Sequence, residues 1–131
     1  EAERRGITPL AEFLDSQTAG TDPKRMGLGP VSATAQLFER NGWSFDDFGL
    51  FELNEAFAAQ ALACLQEMPI DRSLLNVNGG AIALGHPIGC TGARIVVTLL
   101  HEMQRRKIDM GLASLCVSGG LGITGAFKLI K

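Results

Sequence analysis

The glycine-rich stretch at residues 76–92 constrains the fold of this chain more than any other segment. Glycine is unfavourable inside helices and strands, so this stretch is expected to be a loop, and the amphipathic pattern of a helix follows it. Gly85 permits a close approach of the backbone, and Pro87 biases the preceding His86 towards an extended conformation. The stretch therefore predicts a rigid loop that presents one imidazole directly before a helix.

Hydrophobic periodicity predicts that strands and helices alternate along the chain. Strands are expected at residues 7–18, 48–53, 110–117 and 123–130, with Pro9 at the beginning of the first. Helices are expected at about 30–41 and 57–68, and a third helix is expected to bury Ile95, Leu99 and Met103. This alternation predicts an α/β layered fold whose mixed, mostly parallel sheet is covered by helices and ends in an antiparallel hairpin. Residues 1–131 are long enough for one domain with its own core.

Two further polar residues stand where an apolar run ends. Asn54 follows the run 48–53 and is expected near the N-cap of the second helix, and Cys116 ends a run that is followed by small residues. A thiol with bare backbone N–H groups beyond it can act as a base or nucleophile beside an oxyanion. The fold would have to bring Asn54, His86 and Cys116 together.

These segments resemble, in the same order, the C-terminal domain of the thiolases, the family of acetyl-CoA acetyltransferases and 3-ketoacyl-CoA thiolases. The resemblance rests on Asn-Glu-Ala-Phe at 54–57, Gly-His-Pro-Ile-Gly at 85–89 and Cys-Val-Ser-Gly-Gly at 116–120, and it extends more weakly from Pro9 to Lys131. It implies a five-stranded mixed sheet covered by helices, whereas the pattern here predicts four strands. The resemblance therefore implies that the first strand of the family's domain is absent and that residues 1–6 end the helix after it.

The activity that the resemblance implies is the reversible Claisen condensation of two acyl-CoA molecules to a 3-ketoacyl-CoA and CoA. Cys116 would be the acid and base, and His86 would activate an acyl-carrying cysteine and donate a hydrogen bond to an oxyanion. Asn54 would hold a water molecule in the same oxyanion hole, and the backbone N–H of Ser118 would contribute to a second one. Phe57 would line the acyl or pantetheine channel. CoA thioesters are then substrates, and no cofactor is expected.

Two departures from the family pattern affect these expectations. Ser118 stands where the family usually has glycine, which leaves the backbone donor but is less favourable for the close approach of a thioester. The acyl-carrying cysteine of the family lies in the N-terminal domain, in a Cys-x-Ser-Gly context at a helix start, and no such segment precedes Asn54. The chain is therefore expected to lack the N-terminal domain and to be inactive alone. The resemblance also implies a homodimer or tetramer.

Composition excludes several other classes of function. The formal net charge of −2 gives no basic field for a nucleic acid, and no apolar run is long enough to span a membrane. Three cysteines, Cys64, Cys90 and Cys116, are too few for a disulfide framework and are expected to be free thiols in a reducing compartment. That compartment would be the cytoplasm in a bacterium, or the mitochondrion or peroxisome in a eukaryote. The first residue is Glu1 and not Met, which predicts a piece of a longer or processed chain.

Other interpretations of the same residues remain. A metal site of His86, Cys90 and Cys116 is disfavoured because the loop has no carboxylate ligand and no Cys-x-x-Cys pair, so no metal is expected. The glycine-rich stretch fits neither common phosphate-binding fingerprint. A β-ketoacyl synthase usually employs two histidines with its cysteine, whereas here Cys116 occupies the second position. An interaction or scaffold domain that kept the motifs without turnover is the alternative that is not an enzyme.

Overall fold

Three of the four strands in the sheet run in one direction, and the last strand runs against them. The computed structural model describes residues 1–130. The sheet has the order β1-β4-β3-β2. Its strands are β1 at Ala11–Gly20, β2 at Leu50–Leu53, β3 at Met110–Val117 and β4 at Leu121–Leu129. The predicted mixed sheet is confirmed, together with its C-terminal antiparallel hairpin.

The pairing of these strands corrects one part of the prediction. Only β2 and β3 pair in parallel within the described part of the chain, whereas β4 pairs antiparallel with both β3 and β1. The tight β3–β4 turn makes β4 the antiparallel neighbour of β3, and the free edge of β4 then receives β1. The helical crossovers do give β1, β2 and β3 one direction. The expectation of mostly parallel pairing is nevertheless wrong, because β4 lies between β1 and β3 and runs against both.

A short fifth extended segment lies beside β2. Leu75 forms a single parallel bridge with Phe51, and the backbone N–H of Asn76 donates to the carbonyl of Phe51 over 2.9 Å. The side chain of Asn76 forms two hydrogen bonds with the backbone of Leu53: its Oδ1 accepts from the Leu53 N–H, and its Nδ2 donates to the Leu53 carbonyl. This segment was not predicted from the sequence, and it extends the β2 edge of the sheet into the glycine-rich stretch.

Helices cover both faces of the sheet. They are α1 at Ala2–Arg5, α2 at Gly29–Asn41, α3 at Ala58–Glu67, α4 at Ala81–Leu84 and α5 at Thr91–Arg106. Short 3₁₀ turns lie at Pro23–Leu28, Phe45–Asp47 and Arg72–Leu74. The predicted arrangement of helices over a sheet is confirmed.

Two apolar cores lie on opposite faces of the sheet, because successive side chains of a strand point to opposite sides. In β2, Leu50 packs with α5, while Phe51 and Leu53 pack in the core beneath α2 and α3. The α5 core contains the predicted stripe and a partner from β3, namely Leu50, Ile95, Leu99, Met103 and Ala113. Each buried leucine contributes roughly 1.5–3 kcal/mol by its removal from water.

Several element boundaries differ from the sequence expectation. The first strand begins at Ala11 and not at residue 7, because Pro9 has no N–H for the ladder. A short helix lies at Ala2–Arg5 within the residues expected to be helical, and Gly6 ends it in the left-handed conformation at φ 63°. A strand before that helix would lie outside the sequence and stays a prediction. Helix α2 ends as predicted, at Asn41 with Gly42 at φ 68°.

Candidate active site

A cleft of about 380 Å³ opens where β2 and β3 end. Four of the five predicted site residues line it, and the fifth, Asn54, is hydrogen-bonded to one of them. The lining residues are Met26, Ala56, Phe57, His86, Ile88, Thr91, Leu115, Cys116, Val117 and Ser118. The structure therefore brings together side chains from three junctions that are distant in sequence.

Asn54 is held at the end of β2 by the sheet itself. It is fully buried, and its backbone N–H donates to the carbonyl of Ser114 on β3 over 2.9 Å, which prolongs the ladder by one residue. Its side-chain Nδ2 lies 3.4 Å from Nε2 of His86. The expectation that Asn54 lies near a helix N-cap is wrong, because α3 begins only at Ala58 with Phe57 as its N-cap.

His86 lies in the non-helical segment between α4 and α5. Gly85 precedes it at φ 101°, a conformation that only glycine adopts without strain. The ring is hydrogen-bonded at both nitrogens, to Asn54 through Nε2 and to Oγ1 of Thr91 through Nδ1 over 2.7 Å. Both ends of the ring are thus fixed while its residue remains exposed to solvent.

Glu55 connects the end of β2 to α4, which directly precedes the histidine loop at residues 85–90. Its carboxylate accepts from the backbone N–H of Ile82 over 3.0 Å and from Nδ2 of Asn76 over 3.2 Å. A Cβ added at Gly80 would lie 2.2 Å from the Glu55 carboxyl carbon, so a larger residue there would displace the Glu55 carboxylate. These contacts were not predicted from the sequence, because the partners are 21 and 27 residues apart.

Cys116 lies at the half-buried end of β3, opposite Gly122 on β4. Burial raises the pKa of its thiol above the ordinary value for cysteine, so the protonated form is favoured. Ser118 follows in the exposed turn, where the left-handed positions are Gly119 at φ 78° and Gly120 at φ 84°. Ser118 itself has no positive φ, so a serine fits this position without backbone strain.

The other two cysteines differ in their surroundings. Cys64 is fully buried on α3, where its thiol donates to the carbonyl of Gly27 over 3.2 Å and accepts from Nε2 of Gln60. Burial raises its pKa, which fits the expected inert role. Cys90 is exposed in the histidine loop. Cys64, Cys90 and Cys116 are all free thiols.

A buried ion pair beside the site was missed by the sequence analysis. Glu52 on β2 is 3% exposed and lies 3.5 Å from Nη1 of Arg94 on α5. Burial raises the pKa of Glu52 from 4.5 to about 7, although the Arg94 charge acts in the opposite direction. The sequence does contain one signal of this ion pair: Glu52 is a charged residue within an apolar run, on the same face of β2 as the buried Leu50.

No group of three or more histidine, cysteine, aspartate or glutamate side chains within residues 1–130 could hold a metal ion. No helix in the same range is long and apolar enough to cross a membrane.

Comparison with known proteins identifies the same family as the motifs. A family model described as the thiolase C-terminal domain matches residues 7–129. An acetyl-CoA acetyltransferase of Paracoccus denitrificans is 57% identical over 123 residues, which are 94% of this chain and 32% of that protein. A 3-ketoacyl-CoA thiolase of Bacillus subtilis (strain 168) is 46% identical over 129 residues, which are 98% of this chain and 33% of that protein.

A solved structure has the same fold. The crystal structure of the Bacillus anthracis acetyl-CoA acetyltransferase superimposes with a TM-score of 0.95 at 50% sequence identity, covering 98% of this chain and 33% of that one. The chain therefore spans about a third of the length of the relatives it matches.

Proposed function

The chain belongs to the thiolase family as its C-terminal domain, and from this premise we propose that it supplies the acid–base part of an acyltransferase active site. The reaction is the condensation of two acyl-CoA molecules to a 3-ketoacyl-CoA and CoA, or the reverse thiolysis. The observation that carries the proposal is the shared cleft of Phe57, His86, Cys116 and Ser118, with Asn54 hydrogen-bonded to His86.

In this proposal Cys116 moves the proton at the carbon that forms or loses the new bond. In synthesis its thiolate takes a proton from the acetyl methyl group, and in cleavage its thiol returns one to the departing carbanion. The raised pKa of Cys116 supports the cleavage role, because the resting side chain is then a proton donor. Synthesis needs the thiolate, whose population rises with pH.

His86 and Asn54 act on the oxygen of the thioester. Nε2 of His86 takes the proton of the acyl-carrying cysteine, and the N–H formed in this way then donates to the oxyanion. The Asn54 amide lies beside the imidazole and holds a water molecule in the same oxyanion hole. The backbone N–H of Ser118, in the exposed turn after β3, donates to a second oxyanion, and Phe57 contacts the acyl or pantetheine chain.

The acyl-carrying cysteine is proposed to come from the N-terminal domain of a longer protein. Cys116 is followed by Val, Ser118 and Gly119, but this sequence leads into a hairpin and not into a helix. Apolar side chains near the cleft support a covering partner, because Phe57 is 67% exposed and Ile88 is 86% exposed. We further propose that the active protein is a homodimer or tetramer.

The exchange of acetyl-CoA methyl protons with solvent tests the proposed base. The full gene product should catalyse this exchange in D₂O, and Cys116→Ala should abolish it because the proton acceptor is lost. Cys90→Ala is the matched control, since Cys90 is an exposed thiol of the histidine loop, and it should retain exchange.

Two results would overturn the proposal. Exchange that persists in the Cys116→Ala protein would show that another group is the base. A folded full-length protein without exchange or thiolysis would favour the alternative of a scaffold domain that kept the motifs.

A further inference from the structure

Thr91 contacts the imidazole from the side opposite Asn54. It is the first residue of α5 and is 2% exposed. Its Oγ1 lies 2.7 Å from Nδ1 of His86 and 2.9 Å from the carbonyl oxygen of Pro87. The hydroxyl group therefore lies between the Pro87 carbonyl oxygen, which can only accept a hydrogen bond, and Nδ1 of His86, which can donate or accept one.

The single hydroxyl proton decides the direction of these two bonds. Two oxygens at 2.9 Å need a proton between them, and only Thr91 can supply it, because the Pro87 carbonyl is an acceptor. Once that proton is given to Pro87, Thr91 can only accept from the histidine ring. Nδ1 of His86 must then carry a hydrogen.

The opposite ring nitrogen leads to the same result. Nε2 faces Nδ2 of Asn54 at 3.4 Å, and an amide nitrogen is only a donor. A neutral imidazole carries one N–H, so a hydrogen on Nδ1 leaves a lone pair on Nε2 to meet the Asn54 amide. The contacts with Thr91 and Asn54 are thus mutually consistent.

We propose that Thr91 is a positioning residue that fixes His86 in the Nδ1–H tautomer, with the Nε2 lone pair directed towards Asn54 and the cleft. This arrangement makes Nε2 the atom that accepts the proton of the acyl-carrying cysteine. The catalytic consequence rests on the proposed function, whereas the tautomer itself is a property of this chain. Thr91 acts through His86 and does not move a proton of the reaction.

Nitrogen NMR of the whole 131-residue chain tests the tautomer independently of activity. The chain has two histidines, so ¹⁵N-labelling of histidine gives His86 together with the exposed His101 as an internal reference. In the neutral form, His86 should show a protonated Nδ1 and an unprotonated Nε2, while His101 should show the mixture of a solvated ring. A protonated Nε2 in neutral His86 would overturn the proposal.

Substitutions at Thr91 separate the hydroxyl from the shape of the side chain. Thr91→Val keeps the shape and removes the acceptor, so the His86 signals should shift towards the Nε2–H tautomer. Thr91→Ser keeps the hydroxyl and should restore the wild-type pattern. Thr91→Ala is the second variant without an acceptor, in case valine prevents folding. Unchanged His86 signals in both variants that lack the hydroxyl would refute the role of Thr91.

Kinetics of the full-length protein test the consequence for catalysis. Thr91→Val should lower kcat for thiolysis by about 10- to 100-fold with KM changed little, because the base has the wrong tautomer while binding is intact. Thr91→Ser should stay within about twofold of wild type. Equal loss in the Ser and Val variants would contradict the hydroxyl mechanism. If the wild-type protein shows no thiolysis, the proposed function fails while the NMR result still stands.

Discussion

Glu52 enters the core on the side of α5 with its carboxyl group almost completely removed from water. Its nearest cation is Nη1 of Arg94 at 3.5 Å, a longer separation than a strong ion pair has. Its Oε2 has no hydrogen-bond partner in the structure. Desolvation therefore outweighs the attraction to Arg94 and raises the pKa of Glu52 from 4.5 to about 7.

The raised pKa makes Glu52 a source of pH-dependent stability. The folded state binds the proton of the Glu52 carboxyl group more tightly than the unfolded chain does. The stabilisation from this proton is complete below pH 4.5 and is lost as the pH rises through about 7. The pKa difference corresponds to about 3 kcal/mol. Glu52→Gln mimics the protonated group. The free energy of unfolding of wild type minus that of this variant should therefore decrease as the pH rises from 5 to 8.

Urea unfolding followed by the fluorescence of Trp43, the single tryptophan, measures this difference at each pH. Other carboxyl groups titrate equally in both proteins and cancel in the comparison. Parallel pH dependence of wild type and Glu52→Gln would show that Glu52 does not titrate in this range.

Individual site residues differ in how far the sequence reveals them. The glycine and proline around His86 indicate a loop because they constrain the backbone locally, and residues 85–90 are non-helical as expected. The expectation of a loop over all of residues 76–92 is wrong, because the short helix α4 lies within that stretch. Glu55 gives no comparable signal, because its partner Ile82 becomes a neighbour only when the chain folds. The sequence also gives no sign that Thr91 contacts His86, since threonine is an ordinary residue near a helix start.

At the scale of elements, α2 crosses β4 at a point where two backbones touch. A Cβ added at Gly122 would lie 2.0 Å from both the carbonyl carbon and the carbonyl oxygen of Gly29, which are backbone atoms that cannot give way. Gly125 is on the same strand, but a Cβ there would meet only aromatic side-chain atoms at 3.4 Å or more. The two glycines thus offer a matched pair.

Gly122→Ala should therefore reduce the free energy of unfolding by about 3 kcal/mol or more, because α2 must move off the sheet. Gly125→Ala should change it by less than about 1 kcal/mol, because the added methyl meets ordinary van der Waals distances. Urea midpoints with matched slopes provide the comparison. Similar losses in the two variants would show that the α2–β4 contact is not tight.

Helix α5 ends at Lys107 in the left-handed conformation, with φ 58° and its N–H bonded to the Met103 carbonyl. A residue with a Cβ is disfavoured there, and glycine is the usual choice. Lys107→Gly should raise the free energy of unfolding by up to about 1 kcal/mol, as measured by thermal or urea unfolding. Lys107→Ala keeps the Cβ and should give no such gain, and an equal gain would assign the effect to the lost charge.

At the scale of the whole molecule, we propose that this 131-residue chain supplies the acid and base, and that the acyl-carrying group comes from another domain of a longer protein. The chain alone should therefore show no CoA-dependent loss of acetoacetyl-CoA, measured by its absorbance in the presence of magnesium. The full gene product is the positive control. Thiolysis by the isolated chain would mean that Cys64, Cys90 or Cys116 carries the acyl group, and single alanine variants would identify it.

The order of elements was predictable from periodicity, but their neighbours in the sheet were not. The apolar run around β2 indicates a buried strand, and the glycine turn after Cys116 indicates a hairpin. Neither pattern states that the free edge of β4 receives β1, because backbone pairing between strands about 110 residues apart leaves no local mark. The bridge at Leu75 was not predicted either, because a single bridging residue shows no hydrophobic periodicity.

The placement of β4 also sets the order in which the chain can assemble as it leaves the ribosome. β1 is made before β2 and β3, yet within residues 1–130 its only strand partner is β4, which is made after both. The nascent chain must therefore leave β1 without this partner until β4 has been made, and an open strand edge is prone to join other chains during that time. A ribosome that stalls before Leu121 would release a polypeptide whose sheet cannot be completed.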